Sequence, residues 1–189
     1  MRITGGTLKG RTIQCPPGII RPSMDRMRES LFSILAPLEG LSFLDLFTGS
    51  GIIALEAASR GADPVRAVEM DRGKKSMLEA NLLIADPPPK LSLMPAERFV
   101  MAWKETFDII FLDPPFPYKH KQDLLLRVGK SKLVHPGTKI LIHYPAEDPM
   151  PDHLPANQLA QRIAEDKARF LITDKRSFGR SQVAIYTLD

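Results

Sequence analysis

From residue 42 onward, short apolar runs alternate with stretches whose apolar positions recur at helical spacing. The runs Ser42–Phe47, Val65–Glu69, Lys90–Leu93, Phe107–Leu112 and Lys139–Tyr144 predict strands. Between them, Ser50–Arg60 predicts a helix carrying apolar Ile53, Leu55, Ala57 and Ala58 and stopping at Gly61. Arg72–Ala85 predicts a second, with Met77, Leu78, Leu82 and Ile84 as its inner stripe, ended by Asp86-Pro87-Pro88-Pro89 because proline cannot continue a helix. Ala96–Trp103 and Lys119–Lys132 complete the helices. Strands that alternate with helices in this way predict βαβ units and a parallel sheet. Two further strands, Ala168–Thr173 and Gln182–Leu188, follow a proline-rich stretch, 145–155, that reads as loop. The basic segment Asp174–Arg180 joins them.

The first forty residues have a different pattern. Arg2–Thr4 and Lys9–Gln14 around Gly5-Gly6 predict a β-hairpin, and Pro22–Leu35 predicts a helix with Ser23 as its cap. The expected organisation is therefore an N-terminal extension, 1–40, ahead of an αβ domain, 41–189. A length of 189 residues suits one domain with a small appendage, large enough to bury a core without staples. A single Cys15 and four scattered histidines exclude a disulfide framework and argue against a zinc site, so no metal is expected. No apolar stretch approaches a membrane span and Met1–Gly6 lacks a signal-peptide core, so the expectation is a soluble, cytoplasmic monomer.

Net charge is only +4, but its distribution is uneven. Residues 1–28 hold Arg2, Lys9, Arg11, Arg21, Arg26 and Arg28 against Asp25 alone, and 116–132 hold Lys119, Lys121, Arg127, Lys130 and Lys132 against Asp123 alone. These clusters suit phosphate contacts with a nucleic acid, and equally an ordinary solvated surface.

Two motifs carry chemistry. A predicted strand ends in Asp45, and Gly49 and Gly51 then precede a helix. Glycines remove the Cβ atoms that block a ligand's approach, and the helix N-terminus offers free N–H groups. Gly49-x-Gly51-x-x-Ala54 satisfies the dinucleotide fingerprint, which alone does not separate a nicotinamide enzyme from a methyltransferase. A carboxylate just before the turn suits a ligand with a cationic amino or sulfonium group rather than a phosphate. Glu69, ending the next strand, can accept from ribose hydroxyls in either case. No P-loop lysine follows the glycines. The second motif is Asp113-Pro114-Pro115-Phe116, directly after the most apolar strand. A carboxylate, a carbonyl fixed by consecutive prolines and a flat ring suit a planar amine, and by themselves also suit a plain loop.

Together, Asp45-Leu46-Phe47-Thr48-Gly49-Ser50-Gly51 and Asp113-Pro114-Pro115-Phe116 resemble the class I S-adenosylmethionine-dependent methyltransferases that act on exocyclic amines. Arg21-Pro22-Ser23-Met24-Asp25-Arg26-Met27-Arg28-Glu29-Ser30-Leu31-Phe32 resembles, more specifically, the N-terminal signature of the RsmD family of bacterial 16S rRNA guanine-N2 methyltransferases. Met1-Arg2-Ile3, Lys9-Gly10-Arg11, Gly61-Ala62, Val68–Arg72 and Asn81-Leu82 match as well, so the likeness covers nearly the whole chain. The resemblance implies a Rossmann-like α/β fold, with a seven-stranded, mostly parallel sheet and helices on both faces. It implies that Asp45, Phe47, Gly49 and Gly51 line the methionine end of S-adenosylmethionine and that Glu69 binds its ribose. The Gly-Asp-Ala segment usual in such families is Met94-Pro95-Ala96 here, leaving the Ala96 backbone or Glu97 for the adenine. The family's Tyr-Gly pair before the last strand is Phe178-Gly179.

The resemblance further implies that Asp113 and the Pro114 carbonyl accept from the guanine amine while Phe116 stacks on the base. Arg21, Arg26, Arg28, Lys119 and Lys121 are then the candidates for flanking phosphates, with 16S rRNA in the small ribosomal subunit as partner. His120 and Trp103 have equal or better readings as a surface and a core residue. One rival is a DNA adenine or cytosine amino-methyltransferase, for whose target-recognition region the chain has almost no room. A nicotinamide dehydrogenase leaves Asp113–Phe116 unexplained, and a noncatalytic RNA-binding assembly factor leaves both intact motifs without a purpose.

Overall fold

The computed structural model describes residues 1–15, 22–157 and 169–188. They fall into two compact units, Met1–Pro95 and Ala96–Asp189.

In the first unit, helix α1 (Pro22–Leu35) turns a stripe of Met27, Leu31, Phe32 and Leu35 inward. Ser23 lies inside its first turn rather than ahead of it, because the helix already includes Pro22. Strands β1 (Phe43–Asp45), β2 (Val65–Glu69) and β3 (Lys90–Leu93) are parallel, in the order β3-β2-β1. Helix α2 (Ile52–Ser59) connects β1 to β2. A single 3-10 turn (Arg72–Lys74) and helix α3 (Lys75–Leu82) connect β2 to β3, where one continuous helix was expected. Of that helix's expected stripe, Leu78 and Leu82 are buried, Met77 and Ile84 are half-buried, and the buried position between them is Asn81.

Almost every residue of α2 is buried, including Glu56. A carboxylate removed from water must find donors in the protein. Glu56, with 0% exposure, receives the backbone N–H of Thr4 at 2.7 Å, its hydroxyl at 2.9 Å, Arg28 Nε at 3.3 Å and Arg60 Nη1. Arg28, also 0% exposed, donates from Nη2 to the Arg2 carbonyl at 2.9 Å and to Asp25 at 2.8 Å. The N-terminus is thus tied to α2. Ser59 adds to this, accepting from the N–H of Leu8 at 2.8 Å on its hydroxyl and from Thr7 at 2.7 Å on its carbonyl. Asn81 likewise holds Gln14 through a reciprocal pair, at 3.0 and 2.9 Å. The expected β-hairpin is reduced to one antiparallel bridge, Arg2↔Thr12, with hydrogen bonds from Ile3 to Arg11 and from Ile13 to Met1. Other backbone groups of the segment, at Thr4, Leu8 and Gln14, bond to side chains of α2 and α3 and do not extend a ladder.

In the second unit, helix α4 (Ala96–Ala102), strand β4 (Ile109–Leu112), helix α5 (Lys121–Lys130) and strand β5 (Lys139–Pro145) continue the parallel pattern, β4 pairing with β5 in the register Leu112↔Ile142. The remaining strands, β6 (His153–Pro155), β7 (Arg169–Phe178) and β8 (Ser181–Leu188), are antiparallel, giving the order β4-β5-β8-β7-β6. The fold is therefore α/β, with parallel strands joined by helices and an antiparallel C-terminal run.

Eight strands are described, one more than the seven expected. The addition is β6, inside the proline-rich 145–155 segment read as loop. It pairs along β7 and buries Leu154, a long-range partnership that no local pattern announces. Most of the basic segment 174–180 is also strand: β7 runs to Phe178 and turns through Gly179 and Arg180. Ala168, the expected start of that strand, lies outside the described residues. Among the described residues, no helix is long and apolar enough to cross a membrane.

Replacing Glu56 by Ala removes the buried partner of Arg28 Nε and of both Thr4 donors. Breaking such a pair costs about 3–5 kcal/mol. Urea unfolding of Glu56→Ala is expected to show a loss of that size, and a change within 1 kcal/mol of zero, roughly the scatter of surface substitutions, overturns this account of the first unit.

Candidate active site

In the first unit, β1 delivers Asp45 to a buried position, where Oδ2 accepts from the Thr48 hydroxyl at 2.7 Å. The chain then turns sharply: Thr48 N–H donates to the Val68 carbonyl at 2.9 Å, and Gly51 N–H to the Thr48 carbonyl at 2.8 Å. Gly49 has φ 58° and Gly51 φ 86°, left-handed values that favour glycine. At Gly51 a Cβ would also sit 3.1 Å from Leu82 Cδ2, so the glycine that caps α2 is required by conformation and by packing. Glu69, at the end of β2, reaches back to this turn. It accepts from Gly49 N–H at 3.1 Å and Asp71 N–H at 2.9 Å and pairs with Lys74 at 3.2 Å. Asp45, half-buried Phe47, Gly49, Gly51 and Glu69 are thus gathered around one βα turn. Asp71 stays exposed, bonding Gly73 N–H at 2.9 Å in the following turn.

In the second unit, the fully buried β4 leads directly into Asp113. The β4–β5 register continues one residue past Leu112↔Ile142, which places Asp113 opposite His143. His143 Nδ1 lies 2.8 Å from Asp113 Oδ1, and Nε2 lies 2.8 Å from Ser181 Oγ. The Phe116 ring meets the His143 ring edge-on at 5.6 Å. Pro114 is buried, Pro115 exposed and Phe116 half-buried, so the motif is anchored at its first proline and open beyond it. Lys121, at the start of α5, fastens the far side: Nζ donates to the Phe116 carbonyl at 2.6 Å and the Tyr118 carbonyl at 2.8 Å and pairs with Asp148 at 2.8 Å. Tyr118 N–H donates to the Pro115 carbonyl at 2.8 Å, and its hydroxyl donates to Glu97. Burial, then the Glu97 acceptor, pushes the Tyr118 phenol well above the usual tyrosine range.

Two of the basic residues expected to meet phosphate are placed elsewhere. Arg28 is wholly buried on Glu56, Asp25 and the Arg2 carbonyl, and Lys121 is buried under the Asp113–Phe116 loop. A phosphate contact needs an exposed donor, so both are corrected to structural roles. Their spacing carries the signal: Arg28 falls at i−3, i−4 and i−7 from Leu31, Phe32 and Leu35, and Lys121 stands likewise to Leu124, Leu125 and Val128. Arg26 and Lys119 are exposed, and Arg21 lies outside the described residues. Ala96 is buried at the first position of α4, after exposed Pro95, and Glu97 is engaged by Tyr118. Trp103 is half-buried and stacks on buried Phe99 at 4.8 Å, as a packing residue does. His120 is exposed, edge-on to Tyr118 at 5.9 Å. His143 and Ser181 had no motif to mark them. Only the cross-strand register brings them to Asp113.

A family model described as "Conserved hypothetical protein 95" matches residues 1–187. The chain belongs to this family, the RsmD family. A Bacillus subtilis protein named "Putative rRNA methyltransferase YlbH" is 30% identical over 193 residues, 98% of each chain. The Escherichia coli (strain K12) protein named "Ribosomal RNA small subunit methyltransferase D" is 40% identical over 120 residues, 61% of this chain and 60% of that one. Among solved structures, one titled "Putative methyltransferase yhhF from Escherichia coli" matches with a TM-score of 0.79 at 29% identity, covering 98% of this chain and 96% of that one. The RsmD likeness and the α/β fold drawn from residues are thereby borne out.

Lys121→Met keeps the stem and removes three partners from the Phe116–Tyr118 turn and Asp148. Losing buried hydrogen-bond partners of this kind costs about 1–3 kcal/mol, measurable by chemical denaturation, with faster amide exchange expected at Tyr118. A second expectation concerns alkaline pH. Since the folded state holds the Tyr118 proton where an unfolded tyrosine releases it, stability declines as pH rises above about 10. Tyr118→Phe is expected to flatten that decline in unfolding curves taken across alkaline pH, with the Tyr186 phenol, raised by its own burial, leaving a residual slope.

Proposed function

We propose that this chain is an rRNA methyltransferase that places the methyl group of S-adenosylmethionine on the exocyclic N2 amine of a guanine in 16S rRNA, within the assembled small ribosomal subunit. The observation that carries the proposal is Asp113: a carboxylate at the end of a wholly buried strand, 21% exposed, held on one oxygen by His143, with Phe116 and a proline-fixed carbonyl alongside. Membership of the RsmD family and the rRNA methyltransferase names of its relatives support rRNA as the substrate class.

The turn in the first unit fits the cofactor. Asp45 is a buried carboxylate suited to the methionine ammonium, Gly49 and Gly51 keep the backbone open, and Phe47 lines the same turn. Glu69, whose oxygens already organise this turn, is the ribose acceptor, and the Ala96 backbone serves the adenine. When bound, S-adenosylmethionine supplies an electrophilic methyl: the N–C bond forms, the S–C bond breaks, the sulfonium becomes a thioether and one amine proton leaves to water.

The guanine amine is a weak nucleophile because its lone pair is delocalised into the ring. Asp113 and the Pro114 carbonyl accept from its N–H groups, favour pyramidal nitrogen and return density to the lone pair. Pro114-Pro115 aims those acceptors before substrate arrives, so their effect is preorganised. Phe116 stacks on the base and holds its plane. The target guanine must be unpaired or flipped to present its amine in this way. Residues 1–40 act as an RNA-contacting extension to the catalytic domain 41–189, and exposed Arg26 and Lys119 take flanking phosphates, as does Arg21. The enzyme works as a cytoplasmic monomer.

With tritiated S-adenosylmethionine and unmethylated 30S subunits, naked rRNA and DNA in parallel, label is expected as N2-methylguanosine from 30S. Methylated adenine or cytosine in DNA would move the assignment to a DNA amine methyltransferase. Asp113→Ala is expected to lower turnover by roughly 10²–10³, or 2.7–4 kcal/mol, the usual cost of one preorganised contact. Cofactor affinity by calorimetry should stay unchanged. Equal loss of affinity and turnover sinks this role for Asp113.

A further inference from the structure

We propose that His143, oriented by Ser181, is the positioning residue that aims Asp113 and braces Phe116. This inference rests on the amine-methyltransferase reading and names residues of the same site that no motif contains. His143 touches both ends of Asp113–Phe116: Nδ1 is 2.8 Å from Asp113 Oδ1, and the ring lies edge-on to Phe116 at 5.6 Å. His143 and Ser181 are both buried, whereas Asp113 is partly open. The strands explain the grouping. Pairing His143↔Val183 and Pro145↔Ser181 puts Ser181 diagonally beside His143 on one face, and Asp113 follows in register on the other side of β5.

The hydrogen-bond inventory assigns the proton. A carboxylate only accepts, so Nδ1 carries the hydrogen toward Oδ1, and in a neutral ring Nε2 must then accept. Ser181 supplies that donor at 2.8 Å, with the Phe178 carbonyl, 3.1 Å from its oxygen, as the other site its hydroxyl can reach. The Asp113 carboxylate thereby selects the tautomer, and the Ser181 hydroxyl holds the ring orientation. One consequence follows for the reaction. With one lone pair of Oδ1 held by His143, the plane of the carboxylate is fixed and Oδ2 is presented to the guanine amine, so the direction of the acceptor is set before substrate binds. Losing His143 frees the carboxylate to rotate, which lowers the fraction of encounters in a reactive geometry without changing the surfaces that bind RNA or cofactor.

The test uses full-length wild type, His143→Ala, His143→Asn and Ser181→Ala, with folding checked by thermal melts. His143→Ala is expected to lower kcat about 10- to 100-fold, the usual effect of removing a partner that orients a reacting group, while KM for 30S and the cofactor Kd stay near wild type. His143→Asn, whose amide nitrogen takes the place of Nδ1 and can still donate to Asp113, should recover most of the rate, and Ser181→Ala should fall between. Imidazole ¹⁵N spectra give a readout that needs no turnover: the Nδ1–H tautomer is expected in wild type, with the pattern disturbed in Ser181→Ala. Wild-type kcat in a folded His143→Ala, or an Nε2–H tautomer in wild type, overturns the proposal. A wild type that methylates no amine overturns the functional reading instead. In that event the ¹⁵N spectra still decide whether His143 holds Asp113, and this also judges the proposal should His143→Ala fail to fold.

Discussion

A carboxylate buried in an apolar helix is stable only if the protein returns to it the hydrogen bonds that water supplied. Glu56 imposes that constraint on the first unit. Its donors come from two distant stretches of chain, Thr4 in the N-terminal segment and Arg28 in α1, and from Arg60 one turn beyond Glu56 itself. Satisfying one charge therefore fixes how the first fifteen residues and α1 lie against α2. The same helix begins at Gly51, so the turn that carries Asp45, Gly49 and Glu69 stands on a base held by Glu56.

The chemistry sits where buried strands stop. β1 and β4 are covered on both faces; β1 ends in Asp45, and β4 runs directly into Asp113. A side chain at or just beyond the end of such a strand is held by the rigidity of the sheet and still reaches out of it. Asp45 is closed over by Thr48, whereas Asp113 keeps one oxygen on His143 and remains partly open. Two similar residues are thus held differently: one closed over and fixed at its turn, the other tied on one oxygen and partly open.

Arg28 and Lys121 show how a charge can mislead. Each lies in a basic cluster, and net charge along the chain makes both look like phosphate contacts. Each also falls on the apolar face of its helix, at spacings of three, four and seven from buried leucine, valine or phenylalanine. Periodicity states which way a residue points, and charge states only what it can bind once it gets there. For these two positions the pointing decided the outcome. Both became internal ties, one to Glu56 and one to the Phe116 carbonyl.

By itself the sequence determined what depends on local pattern: strands and helices in βαβ order, the glycine turn after Asp45, and the rigid Asp113–Phe116 motif. These follow from side-chain spacing, from glycine's access to positive φ and from proline's fixed φ, all properties of neighbours in the chain. It did not announce β6, the single-bridge form of the N-terminal pairing, the partners of Arg28 and Lys121, or the line of hydrogen bonds from Ser181 through His143 to Asp113. Those depend largely on residues far apart in the chain meeting through sheet register and helix packing. Only the tertiary structure decided them, because a hydrogen bond between distant residues leaves no periodic trace in either segment that makes it.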